Sequence, residues 1–471
     1  MRISLINPKS SFPKEAEATV SPGKGRVWQP LDMAFIAAKL EKEGVDVQFI
    51  DAAALNIDIP KIKKLVFKFK PQKTVITSTI MDMWRCAPMG YENMALVLKA
   101  MPKDTTTIIY GPHVSAFPEK IFSELKPSYA VIGEPEERVP ELILGGHKKL
   151  DGVVYEENKK IIVKEPRGFV KMEKLPLPSY HLLPMDKYRC DPSFPTLQKT
   201  PFAATITARG CPYNCTFCYK EMVSQNYRTR TLDKLEQEFE LLEKRYKVKS
   251  LYFLDEIFNL QEDRTRELCE ILKHYKFKWG CQIRPDILNN MAEMKKAGCV
   301  LVDLGVESIN DNILKKINKR FSSQQVIKAV DFLNKEKIPF RLFMIMGLPG
   351  ETQQSIKESV DFYVKSGAIS GGFPLATVYP KTALWELAIK EGKIKGDGWD
   401  ELPGASGIVG NKFSRKQILK LQEEANAKTL NYASLIRNTS KIELIKGAIR
   451  KPRLALKIFL GMIKRALARA S

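Results

Sequence analysis

No run of about 18 apolar residues occurs in the 471-residue chain, so no helix is expected to cross a bilayer. The opening residues, MRISLINPKS, hold only a short apolar stretch and no signal-peptide cleavage pattern. Cysteine is scarce: eight in a chain of this length do not make a disulfide framework, and a reducing cytosol is the expected compartment. Internal repeats and low-complexity segments are also missing, which sets aside solenoid and fibrous architectures.

What is present is the composition of a folded protein. Hydrophobic residues make up 44% and charged residues 28%, over a length that suggests two or three domains. The net charge of +22 is unevenly spread, since residues 411–471 hold fifteen Lys/Arg against three Glu. Such a tail suits a polyanionic partner, lipid headgroups or nucleic acid, unless the lysines serve solubility alone.

Strand and helix signals alternate through residues 1–145. Apolar runs at 2–7, 45–51, 73–80, 106–110 and 129–133, with an amphipathic helix pattern at 31–44, imply a parallel, doubly wound (Rossmann-like) sheet. Ligands of such sheets lie beyond the carboxyl ends of the strands. This segment places Ser78, Thr79, Gly111, His113, Gly133 and Glu134 there. Residues 146–200 read as a connector with a hairpin at 152–164 and the Pro-rich LPLPSYHLLP. A second series has strands at 204–208, 251–254, 279–283, 301–306, 340–346 and 372–378. It fits a partial (β/α)6 parallel barrel over 201–400, with its chemistry at the carboxyl-terminal mouth. From 401 to 471 the pattern is helical and basic, so the expected class is α/β with a helical extension.

The first barrel strand runs into Thr207-Ala-Arg-Gly-Cys211-Pro-Tyr-Asn-Cys215-Thr-Phe-Cys218-Tyr. This C-x3-C-x2-C spacing is short enough for one loop to wrap one metal centre, and thiolates are the usual ligands of iron–sulfur clusters. Three protein ligands on a [4Fe-4S] cluster leave one iron open to a substrate. A structural zinc site would want a fourth Cys or His, and none follows within 50 residues.

On these residues the chain resembles the radical SAM superfamily, over about residues 200–385. The resemblance implies that Cys211, Cys215 and Cys218 hold the cluster and that its open iron chelates S-adenosylmethionine (SAM). Reductive cleavage of SAM would then give a 5′-deoxyadenosyl radical. The resemblance also implies SAM contacts at successive strand ends: Asp255 and Glu256, then Arg284, then Glu307 and Ser308. The turn Met346-Gly347-Leu348-Pro349-Gly350-Glu351 follows, with Gly347 and Gly350 at the adenine. Taken alone, an acidic residue at a strand end is often just a helix cap.

A doubly wound domain ahead of such a barrel resembles the cobalamin-binding branch of the superfamily. The matching pieces are the Ser78/Thr79 strand end, YGPHVSAFPE at 110–119 and VIGEPE at 131–136. The resemblance implies a corrin laid over the strand ends, where small residues let the backbone approach the ring. The Asp-x-His-x-x-Gly motif that gives cobalt a histidine is absent, and Tyr110 stands where a second Gly is usual. A domain that has lost the cofactor and only packs on the barrel is the alternative, and His113 alone reads as a structural loop histidine.

The branch implies methylation of an unactivated carbon or a phosphinate, with ring formation or contraction as its minority chemistry. The expected partners are a small-molecule or lipid substrate, hydrophobic and lipid-like or tetrapyrrole-like in class, and an electron donor such as flavodoxin or ferredoxin. A tRNA methylthiotransferase would need three N-terminal cysteines for a second cluster, and only Cys86 is there. Cys86, Cys190, Cys269, Cys281 and Cys299 are scattered and read as small core residues. On a helical wheel, 454–467 sets Leu456, Ile458, Phe459, Met462, Ile463 and Leu467 opposite Arg453, Lys457 and Lys464. Such a helix can lie on an anionic membrane surface or dock on its own barrel. Nucleic acid is not an expected partner, because aromatics for base stacking are not interleaved with the charge. The expected localisation is cytoplasmic, with peripheral attachment at the inner face of the membrane.

Overall fold

The computed structural model describes residues 1–9, 27–81, 84, 87, 90–190, 194–223, 225–396 and 401–429. The expectations on Cys86 and on the basic helix at 454–467 lie outside the described residues. No described helix is long and apolar enough to cross a membrane.

The first sheet has seven strands in the order β2-β1-β3-β4-β5-β6-β7. They are β1 Arg2–Asn7, β2 Asp46–Asp51, β3 Lys73–Thr77, β4 Thr106–Tyr110, β5 Tyr129–Val131, β6 Val153–Glu157 and β7 Lys160–Lys164. β1 to β5 pair in parallel. Neighbouring residues feed opposite cores: Val75, Ile108 and Val131 face one, while Ile76, Ile109 and Ala130 face the other. Helices Leu31–Lys42 and Pro135–Gly145 cover the first core, and Ile59–Phe69 and Glu92–Lys99 the second. Alternating side chains buried on both faces are what a doubly wound sheet requires. Its topological switch falls between β1 and β3.

The connector hairpin does not stand apart. β6 and β7 extend the first sheet antiparallel at its edge. Asn158 and Lys159, at φ +52° and +61°, form the two-residue turn between them.

The second sheet has six parallel strands in the order β15-β14-β13-β12-β11-β8. These are β8 Phe202–Thr205, β11 Ser250–Phe253, β12 Lys278–Ile283, β13 Cys299–Glu307, β14 Phe340–Met344 and β15 Ser370–Gly372. A short antiparallel ribbon, β9 Ala208–Arg209 with β10 Arg228–Thr229, stands separately beside β8. Helices between the strands bury their apolar stripes against the sheet, as in Leu232–Lys244 with Leu235, Phe239 and Leu242. The last strand is shorter than the expected 372–378. Pro374 has no N–H for a ladder bond, and only an isolated bridge joins Met346 to Leu375.

One buried acid gives the first sheet a pH response. Asp32 accepts the Tyr110 hydroxyl at 2.6 Å. Burial pushes its carboxyl from 3.8 up to about 7; Glu136 adds to the rise, while Tyr110 and Arg209 oppose it. The folded chain therefore holds this proton more tightly than the unfolded chain does. The stabilisation is complete below the unfolded value and is lost as pH rises from about 4 to about 7. Asp32→Asn should flatten stability against pH in that window, by up to roughly 1.4 kcal/mol per pH unit. Urea denaturation at a series of pH values measures this, and an unchanged slope would contradict it.

Candidate cofactor sites

The cysteine loop leaves β9 at Gly210. There φ is +107° and a Cβ would lie 2.0 Å from Asn226 O, so only glycine can pass. The two acids after β11 hold this approach. Asp255 accepts the Thr207 N–H at 2.7 Å and the Thr207 hydroxyl as well. Glu256 accepts the Gly210 N–H at 2.9 Å. These carboxylates satisfy backbone donors that the loop's entry would otherwise leave unpaired. Burial lifts Asp255 to about 7 against the pull of its Thr207 bonds.

Within the loop, the Lys220 ammonium donates to Cys211 O at 3.3 Å, to Asn214 Oδ1 at 3.2 Å and to Tyr213 O. Thr216 N donates to Ile317 O at 3.1 Å and Leu384 N to Thr216 O at 2.9 Å, which seats the loop between two barrel segments. Cys211, Cys215 and Cys218 are half-buried, and no disulfide joins the described cysteines. Among the described residues no three Cys, His, Asp or Glu converge on a single ion. Three thiols along one loop suit a cluster, which offers each sulfur its own iron. Burial raises the Cys215 thiol pKa, and the nearby Lys319 and Arg284 draw it back down.

Arg284 forks onto Asp286 at 2.9 and 3.0 Å and donates to Lys319 O at 2.7 Å. Its guanidinium lies 3.5 Å from the centre of the Tyr213 ring, inside the cysteine loop. Glu307 follows a bulge in β13 and has φ +69°, which re-aims its side chain. Its carboxylate sits 3.3 Å from Lys319 Nζ. Burial raises the Glu307 pKa and Lys319 lowers it. Ser308 Oγ accepts the Asn310 N–H at 3.2 Å. Arg284, Glu307 and Lys319 thus surround Cys215, and Lys319 was not legible in the sequence because nothing local marks it.

The turn after β14 is folded by Glu351, which accepts from Gly347 N at 2.5 Å and Leu348 N at 3.0 Å. Burial pushes that carboxyl up to about 8. Residues of the C-terminal extension cover the turn. Gly350 N donates to Gly410 O at 2.6 Å and Asn411 Nδ2 to Gly347 O at 3.0 Å. A Cβ on Gly347 would stand 2.3 Å from Gly407 O, so this glycine answers to its own chain as well as to any adenine.

On the first sheet, Ser78 Oγ and His113 Nδ1 are hydrogen-bonded at 2.8 Å. Ser115 Oγ donates to Gly111 O at 3.0 Å and accepts from Gly133 N at 2.9 Å. Ser78, Gly111, His113 and Gly133 therefore share one strand-end surface. Thr79 Oγ1 is buried there with no hydrogen-bond partner among the described residues. A buried hydroxyl left without a partner at this strand end is a group that a bound ligand would satisfy. Glu134 departs from this set. It receives the Arg228 fork at 2.7 and 2.9 Å and Val170 N at 2.7 Å. Burial alone would raise its pKa, but Arg209 and Arg228 outweigh that and hold it low. Both of its carboxylate oxygens are thus engaged by Arg228.

At Gly111 φ is +130° and a Cβ would meet Ser78 Oγ at 2.2 Å. Gly111→Ala should cost about 1–3 kcal/mol of stability and weaken corrin binding. Thermal melting and retained cobalamin absorbance report the two effects, and wild-type values for both would contradict the cradle.

The Radical SAM superfamily profile matches residues 205–363, and the B12 binding domain profile matches residues 25–143. An uncharacterized methyltransferase of Pyrococcus horikoshii is 30% identical over 438 residues, covering 90% of this chain and 91% of its own. The anaerobic magnesium-protoporphyrin IX monomethyl ester cyclase of Rubrivivax gelatinosus is 24% identical, over 70% of this chain and 61% of that protein. The radical S-adenosylmethionine methyltransferase TsrM of Kitasatospora setae, solved with cobalamin and a [4Fe-4S] cluster bound, has the same fold. It superposes with a TM-score of 0.66 at 17% identity, over 84% of this chain and 76% of its own. The chain belongs to the radical SAM superfamily, in the branch that joins a B12 binding domain to the radical SAM barrel.

Proposed function

We propose that this radical SAM enzyme methylates a carbon of a hydrophobic small molecule. In this reading Cys211, Cys215 and Cys218 hold the [4Fe-4S] cluster, and cobalamin lies over Ser78, Thr79, Gly111 and Gly133. One contact carries the reading: Tyr219, next to Cys218, donates its hydroxyl to Pro112 O at 2.7 Å. The cysteine loop and the Gly111-Pro112-His113 turn therefore touch, so groups held on each would face one another. When bound, the cluster supplies the electron that cleaves SAM, and cobalamin supplies a methyl carrier.

The chain's own residues orient and seal the site. Lys319 and Arg284 lower the cost of thiolate charge at Cys215. Glu351 holds the turn whose backbone would meet adenine. The buried rings of Tyr219 and Tyr379, 5.9 Å apart, keep water from the junction. A flavodoxin or ferredoxin would donate the electron, and an anionic membrane surface would receive the basic tail.

Ring formation is the second reading, supported by similarity to a cyclase named for a porphyrin ester. Anaerobic reconstitution tests both. Methylation expects about four irons and a single cobalamin per chain, with release of 5′-deoxyadenosine and S-adenosylhomocysteine together. Release of 5′-deoxyadenosine alone favours ring chemistry. A chain that binds no cobalamin or leaves SAM intact under reductant overturns both.

A further inference from the structure

We infer that Arg209 and Glu136 are positioning residues that fix the cysteine loop against the first sheet, and with it the separation of the two cofactors. The inference rests on the cofactor placement proposed above. Arg209 stands two residues before Cys211 on β9, yet its guanidinium is buried among residues of the first sheet. Nη1 lies 3.3 Å from Glu134 Oε1, and Nη2 donates to Glu136 Oε1 and to Met81 Sδ. The Trp84 ring is 5.2 Å from Arg209 Cζ. Arg228, which pairs with Arg209 across the β9–β10 ribbon, forks onto the other side of Glu134. Both arginines thus flank the cysteine loop, and both acids follow Gly133 at the corrin cradle. Two cations thus meet two carboxylates across the junction.

Stability does not account for such a cluster. Taking these charges out of water costs about as much as their attraction returns, and apolar residues of like volume often serve a fold as well. Direction is what ion pairing adds, because a planar guanidinium meets carboxylates at fixed angles while a methionine does not. Only Gly210 separates Arg209 from the first thiol, and the Gly210 N–H is itself tied to Glu256 at 2.9 Å. A shift of the guanidinium therefore passes directly to Cys211. Misplacement of reacting groups by about 1 Å can cost roughly 100-fold in rate.

The test compares reconstituted wild type with Glu136→Gln and Arg209→Met by electron paramagnetic resonance. Cobalt(II) and the reduced cluster are both paramagnetic, and the cluster speeds cobalt spin relaxation with a steep dependence on distance. At equal iron and cobalt content, the expected result is enhanced relaxation in wild type and a severalfold smaller or broadened enhancement in both variants. Unchanged enhancement overturns the inference, even if the melting temperature falls, since the network would then serve folding alone. If Arg209→Met does not fold, Glu136→Gln decides. If folded Glu136→Gln loses either metal, the network builds a site rather than spacing two, which also overturns it. Wild type lacking both metals would sink the proposed function, and this inference with it.

Discussion

Cys215→Ala should bring 5′-deoxyadenosine formation from SAM to background, a larger loss than the roughly 100-fold that follows from removing an outer-sphere partner of a metal. The site must lose a ligand without losing its fold for this result to be informative, and the loop meets that condition. Lys220 ties three of its groups together, and Thr216 N–Ile317 O and Leu384 N–Thr216 O anchor its middle to the barrel. None of these bonds uses the Cys215 thiol. A half-buried sulfur away from the core should cost stability little, about 0.5 kcal/mol or less. Iron content and 5′-deoxyadenosine measured on the same preparation check the prediction. Retained cleavage would remove Cys215 from the cluster.

Glu238→Ala should destabilise the fold by about 3–5 kcal/mol, the cost of stranding a buried charge. Glu238, on helix Leu232–Lys244, is fully buried, as is Arg230, whose Nη2 lies 2.6 Å from its carboxylate. The same carboxylate accepts from Thr205 Oγ1 at 2.6 Å and Tyr180 Oη at 2.7 Å. Arg230 also lies over the Phe35 ring of the first sheet's helix at 5.4 Å. One carboxylate thus joins β8, the connector and the packing of both sheets. Its removal leaves a buried guanidinium with only Ile206 O as acceptor among the described residues, without its counter-charge, and takes the acceptor from two hydroxyls. The half-exposed pair Arg266–Glu262 is the control, and breaking it should cost about 0.5 kcal/mol or less. Urea denaturation of both variants measures the contrast, and equal losses would refute it.

Much of the strand pattern was legible. Runs such as those of β1, β3 and β4 are buried on both faces, and a continuous apolar run is a local property of the chain. The C-x3-C-x2-C loop was legible for the same reason, since its spacing alone puts the three thiols on one short loop. The hairpin at β6 and β7 was legible as a hairpin, but not as part of the first sheet, because its pairing with β5 crosses the long helix Pro135–Gly145.

The sequence by itself determined the α/β class, the two strand series and the three thiols, because period, spacing and strand ends are written over a few neighbouring residues. Only the tertiary structure decided what the acids at those strand ends meet. Glu134 finds Arg228 across 94 residues, Glu136 finds Arg209 across 73, and Asp255 turns to Thr207 across 48. A carboxylate at a strand end can serve a ligand, a helix cap or a buried arginine equally well. Which one it serves depends on which donor the packed chain brings within 3 Å, and no local pattern carries that information.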